Sequence, residues 1–357
     1  IIFNGEIYNH KEIRPELERD GYKFKTSHSD TEMMIYAYKK WGIECIHKFR
    51  GMFAFCLWDK KKDLFYMVRD RIGIKPLYYT QANGRFYFAS EIKAIIEDET
   101  VKRELNEQGF YDYFTFLTVP APNTLFGNIY KLKPGHYIKI ENGKVSEQTE
   151  YWDIYDNVEY HGNKTQERIQ EELIDLLRTS VKYRLEADVP VGVFLSGGVD
   201  SSLNTALFSE ISDKPVQAFT VGYANDEKLS TYKNEFEYAR KVAKQFGCDY
   251  HELALTQKDL MDFLPQLIHH QDEPIADPVC VPVYFVSKLA RDNGVTVCQV
   301  GEGSDELFWG YETWKRFSNL QAKSELPFAG LGMHAGMGAL KMMGKEYALP
   351  YEMMYRG

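Results

Sequence analysis

The stretch "VPVGVFLSGGVDSS", residues 189–202, decides how the second half of the chain reads. An apolar run of strand type meets Ser196, Gly197 and Gly198, and a helical pattern opens after Asp200. That context places the serine and both glycines in a turn and Ser201 near a helix N-terminus. Adjacent glycines let the backbone approach an anion. Exposed N–H groups and the hydroxyls of Ser196, Ser201 and Ser202 can donate to phosphate oxygens, and the helix dipole adds a favourable field. Asp200 offers a carboxylate through which Mg2+ could reach the same phosphates. The lysine of the G-x-x-x-x-G-K-[ST] loop is missing, so this is not a Walker loop. A plain strand-to-helix turn sharpened by two glycines is the competing explanation.

Outward from this loop, strand and helix signals alternate. From about Gln166, Ile169, Leu173, Leu176, Leu177 and Val181 share one helical face. Strand runs follow at "VPVGVFLS" (189–196), "VQAFTVGY" (216–223), "YHELAL" (250–255) and "VTVCQVG" (295–301), with helices after Asp200, near Phe236 to Phe246 and through "VYFVSKLARDNG". Such alternation predicts βαβ units and a parallel sheet. An acidic run, "VGEGSDELFWGY" (300–311), leaves the last strand. Ligands of open parallel sheets bind beyond the carboxyl ends of strands, so Gly301 to Glu306 are expected near Ser196 to Ser202. Glu302, Asp305 and Glu306 would then crowd three carboxylates, which a divalent cation or a proton relay would explain. A solvated acidic turn is the alternative, opposed by the flanking Val300, Leu307, Phe308 and Trp309.

The first half, to about residue 150, has a different period. "GMFAFCLWD" (51–59), "LFYMV" (64–68), "FYFA" (86–89) and "GHYIKI" (135–140) read as strands, and Glu141-Asn142-Gly143 as a hairpin turn. One helix is expected among them, Thr31 to Trp41, with Asp30 as a candidate cap and Met34, Ile35 and Tyr38 on its stripe. The polar "YWDIYDNVEYHGNKT" (151–165) separates the halves.

With 357 residues the chain can fill two cores. Its hydrophobic content of 44%, mean hydropathy of -0.43 and lack of a long uncharged apolar run argue against a membrane span. A net charge of -9 disfavours nucleic acid as a partner. Five scattered cysteines without C-x-x-C spacing suit a reducing, cytoplasmic setting and core positions rather than disulfides or zinc. No histidine pair has i, i+4 metal spacing, and His269-His270 is assigned no site.

The loop resembles the SGGxDS pyrophosphate loop of ATP pyrophosphatases. Both clusters, placed behind this first half, are similar to the glutamine-dependent asparagine synthetase family. "IIFNGEIYNH" (1–10), "SDTEMMI" (29–35), "RGMFAFCLWD" (50–59), "RDRIGIKPLYY" (69–79), "FASEIKAI" (88–95), "VPAPNTLFGNIYKLKPGHY" (119–137) and "YWD" (151–153) carry the resemblance in the first half. It extends from residue 1 to about 317. It implies an α+β glutaminase of the N-terminal-nucleophile class at 1–150, a truncated αββα sandwich. An α/β domain of the adenine-nucleotide α-hydrolase type is implied at 160–357.

By that resemblance the side chain of Asn4 and the N–H of Gly5 form an oxyanion hole, worth about 3 to 4 kcal/mol in a transition state. Glu6 and Asp30 match the acidic positions that hold the glutamine α-amino group. The plain alternatives are a hairpin turn at Asn4-Gly5 and a helix cap at Asp30. Phe194, Val221, Val300 and Gly301 would line ATP, and Ser196, Gly197, Gly198, Asp200, Ser201 and Ser202 would surround its phosphates. Asp200 and Asp305 would hold Mg2+, and Glu302 would act on incoming ammonia at the acyl-adenylate. Ammonia would reach the second domain through an interior tunnel. The implied partners are glutamine and a carboxylate acceptor, and the resemblance leaves room for a homodimer. The family nucleophile, an N-terminal cysteine whose own amine is the base, has no counterpart here. The chain is therefore expected to be a fragment that does not hydrolyse glutamine as it stands.

Several positions depart from the family pattern. Val300 stands where a serine is common, Trp309 where a second glycine is, and Pro278, Val279 and Cys280 replace a small polar stretch. These changes open amidation of a sugar uronic acid in surface-polysaccharide synthesis as an alternative to aspartate, the family default. A non-catalytic glutamine-binding scaffold and another ATP pyrophosphatase, such as an NAD or GMP synthetase or a tRNA-thiolating enzyme, are the other readings. "LPFAGLGMHAGMGALKMMG" (326–344) reads as a loosely packed helical hairpin or an acceptor lid.

Overall fold

A computed structural model describes residues 1–158, 162, 164–224, 235–312, 314, 315, 318 and 319. The Gly- and Met-rich segment lies outside the described residues. The chain divides into a unit Ile1–Gln299 and a unit that begins at Val300. This division does not coincide with the polar stretch at 151–165, and hydrogen bonds and ion pairs join the two sides of that stretch.

The first unit opens with β1 (Ile2–Ile7), α1 (His10–Arg19) and α2 (Asp30–Trp41), followed by a 3-10 turn at Gly42–Lys48. Strands β2 (Gly51–Asp59), β3 (Leu64–Arg69), β4 (Tyr78–Ala82) and β5 (Arg85–Ala89) come next, then α3 (Ile92–Ile95) and α4 (Glu107–Phe116). Strands β6 (Tyr130–Lys131), β7 (His136–Glu141) and β8 (Lys144–Glu150) complete two sheets, ordered β1-β2-β3-β7-β8 and β5-β4-β6. Every strand pair in them is antiparallel.

Strand β2 shows why its apolar run is continuous. Phe53, Phe55 and Leu57 point to a core shared with Leu17, Met33 and Met34 of the helices. Ala54 and Cys56 point the other way, to a core shared with Leu77, Leu132 and Phe88. A strand covered on both faces needs apolar residues at both parities. Beyond the second sheet, Ile92 and Ile95 of α3 pack with Val101, Ile129 and Tyr78.

The polar hairpin behaves as its sequence predicts. Asn142 and Gly143 take φ of 51° and 72° between β7 and β8, as a tight hairpin turn requires. Other expectations are corrected. Asn4 and Gly5 are not a turn; they pair with Ala54 and Phe53 in mid-strand. Gly5 has φ 147°, and a Cβ there would stand 2.1 Å from the Met52 carbonyl oxygen, so only glycine fits. The helix of the first half is accompanied by α1, α3 and α4. On α2 the buried stripe is Met33, Met34 and Ala37, while Ile35 is exposed.

The parallel sheet is built from α5 (Gln166–Arg184), β9 (Val191–Phe194), α6 (Val199–Ile211), β10 (Gln217–Tyr223), α7 (Phe236–Gln245), β11 (Asp249–Leu255), α8 (Gln257–His270), α9 (Cys280–Asp292) and β12 (Val297–Gln299). Strand order is β11-β10-β9-β12, all parallel. One face carries Val181, Leu207, Phe208 and Ala239 from α5, α6 and α7. The other carries Val286 and Ala290 from α9. Of the predicted stripe on α5 only Val181 is buried, whereas Ile169 and Leu176 are exposed. In the second unit, α10 (Ser304–Phe308) is a short helix.

Candidate functional site

Strand β9 lies between β10 and β12, so the connections from this part of the sheet leave in opposite directions. That is the switch point at which open α/β sheets bind ligands, beyond the carboxyl ends of the strands. Leu195 extends the ladder by one residue, its N–H donating to the Phe219 carbonyl at 2.9 Å and its carbonyl accepting from Thr220 Oγ1 at 2.5 Å. The chain then turns through Ser196 and Gly197, and Gly198 caps α6 with extended dihedrals.

Inside this turn the hydroxyls brace one another. Ser201 Oγ lies 2.9 Å from Ser196 Oγ and accepts the Ser196 N–H at 3.2 Å, while the Gly198 N–H donates to Ser196 Oγ at 3.2 Å. Ser201 is buried, Asp200 and Ser202 are half-buried in the first turn of α6, and Ser196 and Gly198 are exposed. Gly197 adopts φ 82°, and a Cβ there would fall 2.5 Å from Tyr238 Cβ and 2.6 Å from the Ala239 nitrogen. The glycine is thus required by the N-terminal turn of α7 behind it. Phe194 and Val221 pack partly against Val286 and Ala290 on the α9 face.

In the first half, Asp30 Oδ2 accepts the Ile7 N–H at 3.0 Å, joining the start of α2 to the end of β1. Ser29, not Asp30, caps α2, its hydroxyl accepting from the Glu32 N–H. Burial raises the Glu6 carboxyl, and the nearby carboxylates of Asp30 and then Asp188 add to the rise against a smaller pull from Lys75. Negative charge is therefore concentrated at the edge of β1, where an ammonium group would be favoured. Asn4 Nδ2 donates to Ser90 Oγ at 3.1 Å.

Ser90 is a residue that sequence reasoning missed, although "FASEIKAI" had been singled out. Asp70 is another: it is buried, and its carboxylate takes the N–H groups of Phe53, Ile74 and Lys75 at 2.9 to 3.1 Å, fixing the loop after β3. Four cysteines are not activated. Burial pushes the Cys45 thiol up to about 12, Cys298 up to about 11, and Cys56 and Cys248 upward as well.

In the second unit, Val300 and Glu302 are exposed, and Gly301 and Asp305 are half-buried. A Cβ on Gly310 would stand 1.7 Å from Asp305 Oδ1, so this glycine makes room for the carboxylate. Tyr311 donates to Glu306 at 2.8 Å; that bond, followed by burial and the carboxylates of Glu306, Asp305 and Glu302, pushes its phenol up to about 12. Trp309 takes a left-handed φ of 57° and packs edge-on against Trp314. The expected three-carboxylate cage does not form: among the described residues no three His, Cys, Asp or Glu side chains could together hold a metal. No helix among them is long and apolar enough to cross a membrane.

Comparison with known proteins places both halves. A glutamine amidotransferase domain matches residues 1–152, and asparagine synthase matches residues 172–353. Asparagine synthetase [glutamine-hydrolyzing] 1 of Bacillus subtilis is 37% identical over 92% of this chain and 50% of its own length. Putative asparagine synthetase [glutamine-hydrolyzing] 2 of Methanocaldococcus jannaschii is 34% identical over 88% of this chain and 59% of its own. Amidase chyE of Penicillium rubens is 32% identical over 88% of this chain and 47% of its own. The chain thus spans about half the length of the curated relatives it matches. With both domains matched in this order, the chain belongs to the asparagine synthase family and carries a glutamine amidotransferase domain ahead of the synthase domain.

Proposed function

We propose that the full-length protein is an ATP-dependent carbon–nitrogen ligase that takes its nitrogen from glutamine. Residues 1–150 form the glutaminase, of the N-terminal-nucleophile αββα type, and residues 160–357 belong to the ATP-pyrophosphatase domain. The observation that carries the reading is the braced Ser196–Ser202 turn at the switch point of a parallel sheet, within a chain whose two halves match the two domains in order.

The chemistry divides between the halves. Asn4 and Gly5 stabilise the oxyanion formed on the glutamine side-chain carbonyl, while Glu6 and Asp30 take its α-ammonium. In the other half Ser196 to Ser202 hold the ATP phosphates, with Phe194, Val221, Val300 and Gly301 along the nucleotide. A carboxylate attacks the α-phosphorus, pyrophosphate leaves, and ammonia displaces AMP from the acyl-adenylate to give an amide. Glu302 accepts the proton that the ammonia nitrogen loses.

Mg2+ is commonly held by one or two carboxylates plus substrate phosphates, and Asp200 and Asp305 are the carboxylates that would serve it. Bound there, it would offset charge on the departing pyrophosphate.

Aspartate is the acceptor we favour, since the relatives named above include asparagine synthetases. A second reading, amidation of a sugar uronic acid, is favoured by Trp309, whose indole is 53% exposed beside the acidic turn. Pyrophosphate release by the full-length protein with ATP, Mg2+ and ammonia tests both. Turnover with aspartate supports the first, turnover only with a nucleotide-linked uronate supports the second, and release with neither acceptor refutes the ligase reading.

A further inference from the structure

Two adjacent acids of the parallel-sheet half, Asp272 and Glu273, are built into the antiparallel half. They follow α8, and their side chains are only 10% and 9% exposed. Asp272 accepts the N–H groups of Ile92 at 2.5 Å and Lys93 at 3.3 Å, and pairs with Lys93 Nζ at 2.9 Å. Burial pulls the Lys93 ammonium down, but its bonds to Glu91 and Asp272 outweigh burial and hold it raised. Glu273 accepts the Leu125 N–H at 2.6 Å and pairs with Lys131 Nζ at 2.9 Å. Three residues on, the Ala276 N–H donates to the Leu117 carbonyl at 3.0 Å. Burial, with Glu273 and then Asp272 close by, pushes the Tyr78 phenol up to about 12. A stretch of six residues, 271–276, is thus fastened to α3, to the β4–β6 sheet and to the end of α4.

One of these fastenings leads to the amidotransferase residues. Strand β5 ends at Ala89 and α3 begins at Ile92, so Ser90 lies in a two-residue link. Ile92 is fully buried in its core cluster, and Asp272 holds its N–H. With both flanks anchored, the Ser90 hydroxyl has a defined position, and it accepts one hydrogen of the Asn4 amide. An asparagine amide has two N–H donors, so the other stays available for an oxyanion.

We propose that Ser90 and Asp272 are positioning residues for the oxyanion donor Asn4, so that a carboxylate of the synthase half sets the geometry of the glutaminase half. This rests on the glutaminase reading above. A donor aimed at the transition state and not at the ground state acts on kcat more than on KM.

The test uses the full-length protein with Asp272→Ala, Asp272→Asn, Ser90→Ala and the Asp272→Ala/Ser90→Ala pair. Asp272→Ala and Ser90→Ala should each lower kcat for glutamine hydrolysis at least tenfold with KM within about twofold, and the pair should lose no more than the worse single change, as coupled sites do. Ammonia-dependent pyrophosphate release should stay within about twofold. Asp272→Asn, which keeps an acceptor for the Ile92 N–H, should recover part of the loss and guards against a folding defect in the alanine variant. Unchanged glutamine turnover in Asp272→Ala, or losses that multiply in the pair, would overturn the proposal. Hydrogen exchange decides it without turnover. Faster exchange in Asp272→Ala over residues 2–7 as well as 90–96 supports the link, and a change confined to 90–96 overturns it. A wild-type protein without glutamine hydrolysis would instead sink the glutaminase reading, leaving exchange to judge the link.

Discussion

Gly197 and Tyr238 stand so close that a Cβ on the glycine would lie 2.5 Å from that of the tyrosine. The contact joins the turn after β9 to the first turn of α7, where the Ala239 nitrogen stands 2.6 Å from the same position. Gly197→Ala should therefore cost about 1–3 kcal/mol from overpacking. The left-handed φ of 82° adds strain of the same sign. Urea denaturation should show the loss. ATP-dependent pyrophosphate release should fall further than stability alone explains, because the turn itself is displaced. A variant with wild-type stability would show that α7 yields easily and that the glycine is not dictated by packing.

In the proposed glutaminase, Glu6 links charge to ligand binding. Its carboxyl is raised by burial and then by Asp30, so the folded state holds this proton more tightly than the unfolded chain. The sign follows: its contribution to stability is fully present below the unfolded value of 4.5 and is lost as pH rises through the raised value. Glu6→Gln should flatten that part of the pH–stability curve. At neutral pH it should leave the protein at least as stable. Glutamine KM should nevertheless rise about tenfold or more, the order expected for losing a hydrogen bond to a charged group. A variant that lost stability at pH 7 and bound glutamine normally would contradict this assignment.

The Glu273–Lys131 pair tests the seam between the halves through stability. Glu273 is 9% exposed and Lys131 17%, and the lysine also donates to the Val119 carbonyl at 2.7 Å. Removing the carboxylate strands an ammonium and the Leu125 N–H, and breaking a buried pair on one side costs about 3–5 kcal/mol. Glu273→Ala should approach the lower figure, because Lys131 keeps its carbonyl partner. Glu273→Ala with Lys131→Met should be the less damaged protein by denaturant titration. If the double variant were the weaker, the pair would contribute by attraction rather than by mutual compensation.

How far the residues alone carried this picture depended on how local each signal was. The continuous apolar run through Phe53, Ala54, Phe55 and Cys56, the Asn142-Gly143 turn, and the strand–turn–helix at Ser196 to Ser202 all act within a few residues, and each was legible. Helix α1 was missed because Pro15 sits inside it and only Ile13 and Leu17 are buried. Helix α4 was missed because its aromatic run lacks a stripe: Phe110, Tyr111, Phe114 and Phe116 are all exposed. On α5 the stripe was real but only partly covered, with Val181 buried, Leu173 and Leu177 half-buried and Ile169 and Leu176 exposed, since periodicity marks a face without saying what packs on it. The partnerships of Asn4 with Ser90 and of Asp272 with Ile92 span 86 and 180 residues, and no spacing rule reaches that far. Asp30 was ambiguous between cap and ligand; with Ser29 occupying the cap, its carboxylate is left to Ile7.

Asp200 separates a catalytic role from a structural one. It lies in the first turn of α6, where a carboxylate interacts favourably with the helix dipole by about 0.3–1 kcal/mol. Asp200→Ala should therefore lower stability by no more than that, and far-ultraviolet circular dichroism should be unchanged. Pyrophosphate release with ammonia should nonetheless fall at least 100-fold if the carboxylate helps to hold Mg2+ on the phosphates. Glutamine hydrolysis, for which the proposed residues sit on β1 and α2, should stay within about twofold. Raising Mg2+ should restore part of the rate in Asp200→Asn but little in Asp200→Ala, since the amide keeps one oxygen toward the metal. A variant that kept full synthetase turnover would remove Asp200 from the metal site and reduce its carboxylate to a helix-dipole contact.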